Sequence, residues 1–376
     1  MESIPTAEGP TRLMLRGDHY TMGRQHGVQV RMLRPLIDNA IKARFDDIAK
    51  HGCDERFESL VRETRDALMT HCPTVVEFIR GQAEALAYDF ENLLRCDLVS
   101  YLCDELLTRG TASSDGCTSW AATGSATVDG LPVMAKNRDY HLEHLPLQTV
   151  SRVEPVAGYR YVCAGSAGSP DVYCGGINEA GLAVADTHVV SAEIGPGLPD
   201  YALMMHLLEN HDAVSSAVDY LRSVPRLGRN NLILADAQGE VAVFESGHRG
   251  YGLFSTRDGA LVSTNHRISP PLRHQFVDLS PPVAKGNSFR RHDKVSEALR
   301  AAHGYIHLDV AFARMLMAAH DGPLASVCRH PIEGCDSATI AACVFLPADR
   351  TLLFCHGLPC QGTYETFVCG RDGDEL

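Results

Sequence analysis

Cys117 is the residue with the most chemical promise. It follows Thr-Ala-Ser-Ser-Asp-Gly, residues Thr111 to Gly116, a small polar loop of the kind that separates elements. A strand signal from Thr118 to Thr127 comes directly after it. Cysteine attacks as its thiolate, and an ordinary thiol pKa of about 8.5 leaves little thiolate near neutrality. A neighbouring base is one remedy. Another is to free the residue's own α-amine, whose pKa of about 7.7–8.0 suits proton transfer near neutral pH. The second remedy requires a cut between Gly116 and Cys117. Glycine suits the position before the cut, because it tolerates a strained backbone and leaves the scissile carbonyl open. The thiol would attack that carbonyl, form a thioester and be released by water. A Gly-Cys pair alone is too common to carry this reading, and a buried inert thiol is its bland counterpart.

A wider pattern narrows the choice. Asp115-Gly116-Cys117-Thr118-Ser119, with a hairpin that closes on Lys136-Asn137-Arg138-Asp139, resembles the isopenicillin N acyltransferase (acyl-coenzyme A:aminopenicillanic acid acyltransferase) family. These are cysteine-type N-terminal-nucleophile (Ntn) hydrolases, related to conjugated bile acid hydrolases. Further segments match in order: Tyr20 to Gly27, Gly176 to Leu182, Ser263 to His266, Ser288 to Arg291 and His356 to Cys360.

The resemblance implies roles. Cys117 falls on the nucleophile, Asp139 on the aspartate that holds its amine, and Asn137 on the hairpin asparagine. Asn265 falls on an oxyanion-hole amide, and Arg291 on the arginine that opens a helix. Each has a bland counterpart: a turn cap for Asp139, a loop brace for Asn265, a surface charge for Arg291. Arg138 stands where relatives carry an apolar or aromatic side chain, and His188 where bile acid hydrolases carry an asparagine; both are expected to face substrate. These departures, and a hairpin a few residues longer, leave the substrate class open.

The resemblance also implies an α+β fold, a four-layer αββα Ntn-hydrolase sandwich with a helical N-terminal segment. Residues 1–116 would be that segment, an α chain that stays bound after self-cleavage, and residues 117–376 the core, or β chain. The implied activity is cleavage or formation of an amide bond in a small molecule through a Cys117 thioester. No cofactor is implied, although a coenzyme A thioester is a possible acyl donor if the reaction is transfer. An unprocessed cysteine hydrolase with a remote histidine base, or a non-catalytic binding protein on the same fold, remains the alternative.

The elements that would position these residues are partly legible. From Met22, the apolar residues Val30, Leu33, Ile37, Ile41, Phe45 and Ile48 recur at helical spacing, with Pro35 predicting a kink or late start. Further helices are expected near Leu60–Leu68, from Val75 to Tyr88 and from Leu93 to Leu107. Strands are expected at Leu131 to Lys136 after an Asp129-Gly130 turn, and near Tyr159, Leu182, Asn231, Glu240, Ile340 and Thr351. Helices at Tyr201–Asn210, Ala213–Val224, Arg290–Ala302 and Val310–Ala319 alternate with them. Thr111 is the one defensible boundary.

Composition sets outer bounds. The formal net charge of −13, with no basic run among 34 Lys and Arg residues, argues against nucleic acid. No apolar stretch approaches the roughly 18 residues of a membrane helix, nor is there a signal-peptide core, so a cytoplasmic protein with reduced thiols is expected. Thirteen cysteines form no Cys-x-x-Cys pair, and His141 and His144 lack a His-Glu-x-x-His companion, so no metal is expected. The helical segment offers a dimer surface, so a homo-oligomer is compatible.

Overall fold

The structure, a computed structural model, describes residues 9–51, 54–107, 116–280, 285–302, 308–320, 322, 325–331 and 337–370. The Thr111–Asp115 part of the expected loop lies outside the described residues. The N-terminal region contains β1 (Thr11–Gly17), α1 (His19–Gln29), α2 (Arg34–His51), α3 (Glu55–His71), α4 (Pro73–Leu86) and α5 (Phe90–Leu107). It is therefore not helical throughout, since it opens with a strand.

The expected first helix is two, broken by a 3-10 turn at Arg31–Leu33. Pro35 sits in the first turn of α2, where its missing N–H costs nothing, so the late start is the outcome. Caps fix other starts: Asp18 accepts from Thr21 N (2.7 Å), Asp54 from Phe57 N (2.9 Å), and Pro73 opens α4.

Strands β2 (Gly116–Thr123), β3 (Val133–His141), β4 (Gln148–Pro155), β5 (Tyr161–Ser166), β6 (Gly175–Asn178) and β7 (Ala183–His188) follow. Then come α6 (Asp200–Asn210), α7 (Val214–Ser223), β8 (Asn230–Ala235), β9 (Val241–Ser246), β10 (Tyr251–Thr256) and β11 (Gly259–Ser263). The chain closes with α8 (Asn287–Ala302), α9 (Val310–Met317), β12 (Ser337–Leu346), β13 (Thr351–His356) and β14 (Tyr364–Val368). Strand β2 stops at Thr123, short of the expected Thr127, because Ser125 N donates to Asp258 Oδ1 (2.7 Å) and the chain enters a 3-10 turn.

Two sheets result. One has the order β1-β4-β5-β6-β7-β8-β9-β10 and the other β11-β2-β3-β12-β13-β14. Alternation assigns their faces. Ala121 and Met134 join Val150, Ile177, Ile233 and Phe345 in the apolar layer between the sheets. Their neighbours Trp120, Ala122 and Val133 point the other way and pack on Val295, Leu299 and Phe312 of α8 and α9. Outside the larger sheet, Leu13, Tyr161 and Leu232 pack on residues of α1, α4, α6 and α7. The four layers are thus helix, sheet, sheet, helix, as expected.

The N-terminal region is built into this body. Strand β1 pairs in parallel with β4, Thr11 opposite Thr149. Helices α1 and α4 touch backbone to backbone: a Cβ on Gly23 would lie 1.9 Å from the Phe78 carbonyl oxygen, and one on Gly81 2.0 Å from that of Tyr20. That contact explains the glycine within Tyr20–Gly27.

Candidate active site

Strands β2 and β3 run antiparallel, with Gly116 opposite Asp139, Cys117 opposite Arg138 and Thr118 opposite Asn137. Alternation splits these pairs between two faces. Gly116, Thr118, Asn137 and Asp139 face helices α8 and α9. Cys117, Lys136 and Arg138 face the space between the sheets.

On the helix side, Arg291 is the hub. It is buried at the start of α8, donates to the Cys117 carbonyl, and reaches Thr118 Oγ1 (2.8 Å) and Asn265 Oδ1 (2.6 Å). Burial pulls its pKa down to about 10, partly offset by Asp139, so it stays charged near neutral pH. Asn265 Oδ1 also accepts from the Cys117 backbone N–H (2.8 Å), while Asn265 Nδ2 donates to the His188 carbonyl (2.8 Å). These partners fix the amide's orientation. Its oxygen, not its N–H₂, faces Cys117, so here Asn265 is a partner of the Cys117 nitrogen, whereas the resemblance gave it the role of an oxyanion donor. His188 contributes that carbonyl from the end of β7.

Asp139 is fully buried, accepts from Thr339 Oγ1 (2.6 Å) and lies 3.7 Å from Arg329 Nη1. A Cβ at Gly116 would stand 2.5 Å from Arg329 Nη1 and 3.0 Å from Asp139 Oδ2. The Gly116 backbone is not in the left-handed region. Crowding by these side-chain ends, and not backbone strain, is what a side chain at Gly116 would meet. Asn137 is not brought to Cys117: its Nδ2 donates to the Met317 (2.8 Å) and Val327 (2.9 Å) carbonyls and ties β3 to α9.

On the inter-sheet side, burial pushes the Cys117 thiol up to about 12, against the pull of the Lys136 ammonium. Lys136 donates to the Cys174 carbonyl (2.8 Å) and to Asp186, whose other oxygen accepts from Asn230 Nδ2 (2.7 Å). Burial opposes the charge on Lys136, but Asp186 together with the nearby Cys174 and Cys117 thiols turns the net direction up, so it is an ammonium throughout the neutral range. The buried Arg138 guanidinium lies over the rings of Tyr140 (5.1 Å) and Tyr173 (5.5 Å) and donates to Gln148 Oε1 (3.2 Å). Those two tyrosines border a cavity of about 50 Å³, roofed by Ile37, Ile41 and Arg44 of α2 and by Asp97 of α5.

Residues 126–361, more than half of the chain, match the family model of acyl-coenzyme A:6-aminopenicillanic acid acyl-transferase. The chain belongs to this family. Membership brings acyl-transfer or amide-hydrolysis chemistry with it. The acyl-transferase match begins after Cys117 and does not cover strand β2. No curated protein matches the chain. Among solved structures, a variant of conjugated bile acid hydrolase from Clostridium perfringens is 13% identical with a TM-score of 0.46, over 69% of this chain and 100% of that one. Penicillin V acylase from Agrobacterium tumefaciens is 18% identical with a TM-score of 0.38, over 64% of this chain and 83% of that one.

Of the expected site residues of this acyltransferase relative, Cys117, Asn265, Arg291 and the carbonyl of His188 are bonded into one network. Asp139 is adjacent through Gly116, Arg138 shares the face of the thiol, and Asn137 stands apart. Sequence reasoning missed Lys136, Asp186 and Arg329. Extending the hairpin register to Asp139 would have put Lys136 on the cysteine's face; Arg329 and Asp186 carry no local signal.

Proposed function

We propose that the chain is a self-processing cysteine amidohydrolase or acyltransferase whose catalytic residue is Cys117. What supports this is the hydrogen bond from the Cys117 backbone nitrogen to Asn265 Oδ1, an oxygen braced by Arg291. A backbone N–H gripped by a buried side chain at the head of a strand is a future α-amine already held in place.

In self-processing, Cys117 Sγ attacks the Gly116 carbonyl carbon, and the C–N bond breaks as the nitrogen takes the thiol's proton. Water then splits the thioester, returning a proton to sulfur and leaving Gly116 as a carboxylate. The products are residues 1–116 and 117–376, held together by the shared sheet and core. The freed amine, beside Asn265 and near Asp139, becomes the base that the buried thiol lacks.

In turnover, the amine takes the thiol proton as sulfur attacks an amide or thioester carbonyl, then delivers it to the leaving group. Water or an amine resolves the acyl-enzyme, giving hydrolysis or transfer; a coenzyme A thioester fits the donor role in transfer. Lys136 places positive charge beside the reacting sulfur. Arg138, flanked by tyrosines, meets a polar or anionic group of a small-molecule substrate. The cavity of about 50 Å³ beside these tyrosines is below the roughly 300 Å³ of ordinary ligand pockets.

Intact mass spectrometry of the wild type beside Cys117→Ala tests the reading. Two fragments that meet between Gly116 and Cys117, in the wild type alone, are expected. A single uncut chain in both after prolonged incubation would overturn the free-amine mechanism and leave an unprocessed relative.

A further inference from the structure

The loop before β12 and the turn after β13 bring together side chains that the acyl-transfer chemistry does not use. Cys360 Sγ lies 3.1 Å from His330 Nε2 and 3.6 Å from Cys328 Sγ. The His320 and His330 rings stack with centroids 4.7 Å apart. One ligand atom each from His320, His330 and Cys360 lies within 4.8 Å of the others. Among the described residues, this is the one cluster of three or more His, Cys, Asp or Glu groups with that spacing.

We propose that Cys328, Cys360, His320 and His330 form a divalent-metal site of the Cys2His2 type that holds Zn²⁺ in a closed tetrahedron. His320, His330 and Cys360 already stand together, and Cys328 Sγ, outside their mutual 4.8 Å spacing but 3.6 Å from Cys360 Sγ, is the fourth ligand drawn in on binding. With Zn–S near 2.3 Å and Zn–N near 2.0–2.1 Å, a tetrahedron has edges of about 3.8 Å between sulfurs and about 3.5 Å between nitrogen and sulfur. The two observed separations fall within a few tenths of an ångström of these values. His320 is exposed and already offers a ligand atom within 4.8 Å of those of His330 and Cys360. Its Nδ1 bonds the Ala318 carbonyl (3.0 Å), which makes Nδ1 the N–H and leaves the Nε2 lone pair to a metal. Two thiols and two imidazoles also favour zinc over calcium or magnesium.

Binding releases the two thiol protons to solvent, and two thiolates neutralise the ion's charge. Four protein ligands leave no open position, so the metal is structural. Its effect on the active site is positional. Cys328 is chain neighbour to Arg329, whose guanidinium faces Asp139 and Gly116. The site therefore clamps the loop that carries Arg329 to the turn that carries Cys360.

The test is Co²⁺ substitution of the chelator-stripped, full-length protein. One Co²⁺ per chain is expected, with the visible bands of tetrahedral cobalt and a near-ultraviolet thiolate charge-transfer band of two Co–S bonds. Cys360→Ser should halve that band. His320→Ala, exposed and so harmless to folding, should weaken Co²⁺ affinity by about 10–100-fold or more, the loss typical of perturbing a metal site. Three results would overturn the proposal: no Co²⁺ uptake, a spectrum unchanged by Cys360→Ser, or two thiols missing from a denatured, unreduced thiol titration because Cys328 and Cys360 are disulfide-linked.

Discussion

On the helix-facing side of β2 and β3, Gly116, Thr118 and Asp139 meet Arg291 and Arg329; on the inter-sheet side, Cys117 shares its space with Lys136 and Arg138. The first face grips backbone: the Cys117 carbonyl goes to Arg291 and, at the strand edge, its N–H goes to Asn265. The second face sets the charge around the sulfur. Strand alternation puts one residue's main chain and side chain under separate control. Cutting the chain and turning over substrate should therefore be separable by mutation, and each variant below strikes one face.

Lys136→Met strikes the inter-sheet face and should have the largest effect. It leaves the Asp186 carboxylate without its cation, and breaking a buried pair from one side costs about 3–5 kcal/mol. The melting temperature should fall steeply, and the double variant Lys136→Met/Asp186→Asn should recover part of the loss. Equal melting points for the two variants would show that the pair is solvated and that its charge is not what the sulfur feels.

Gly116→Ala strikes the other face. The new methyl would overlap Arg329 and crowd Asp139, displacing a buried charge from its partner. A cost near 3 kcal/mol in reaching the cleavage transition state corresponds to about a 100-fold slower cut. Fragment appearance on a denaturing gel measures it. Wild-type rates would show that Arg329 is free to move.

A pH series separates the uncut chain from the mature one. Before the cut, the thiol is held up to about 12 by burial, so its thiolate fraction rises with pH across the whole accessible range. If cleavage draws on that thiolate, its rate should climb about tenfold per unit between pH 6 and 9. Turnover after the cut should instead level off above about 8, where the α-amine is neutral. A cleavage rate flat across that window would mean that a resident group takes the thiol proton.

Most elements were legible because they rest on local pattern, such as helical spacing from Val75 and strand signals at Asn231 and Ile340, whereas the order of layers came only with the family resemblance. Strand β1 was not: Leu13 and Leu15 alternate with Arg12 and Arg16, but two buried leucines among seven residues are too brief a pattern to stand out. The motif located Cys117, Asp139, Asn265 and Arg291, but a motif does not say which way a side chain points. Asn265 turned its oxygen to Cys117 because Arg291 and the Cys117 N–H are both donors. Lys136 was read as the end of a strand that in fact runs on to His141. Arg329 reaches the site only through long-range packing.

Asn137→Ala should have the smallest effect on chemistry, and it tests the comparison most sharply. The resemblance places Asn137 with the catalytic groups, whereas its amide points to the helices and ties down two buried carbonyls. Removing it leaves those acceptors without this donor, at a cost of about 1–3 kcal/mol. The melting temperature should drop by several degrees, while the cleavage rate of the folded fraction stays within about twofold of wild type. Asn137→Asp keeps the size but offers acceptors to acceptors, so it should destabilise more than alanine with the same neutral effect on rate. If either variant slowed the cut tenfold or more while remaining folded, the helix-facing side would be tuning the reaction itself, and the division between the two faces would fail.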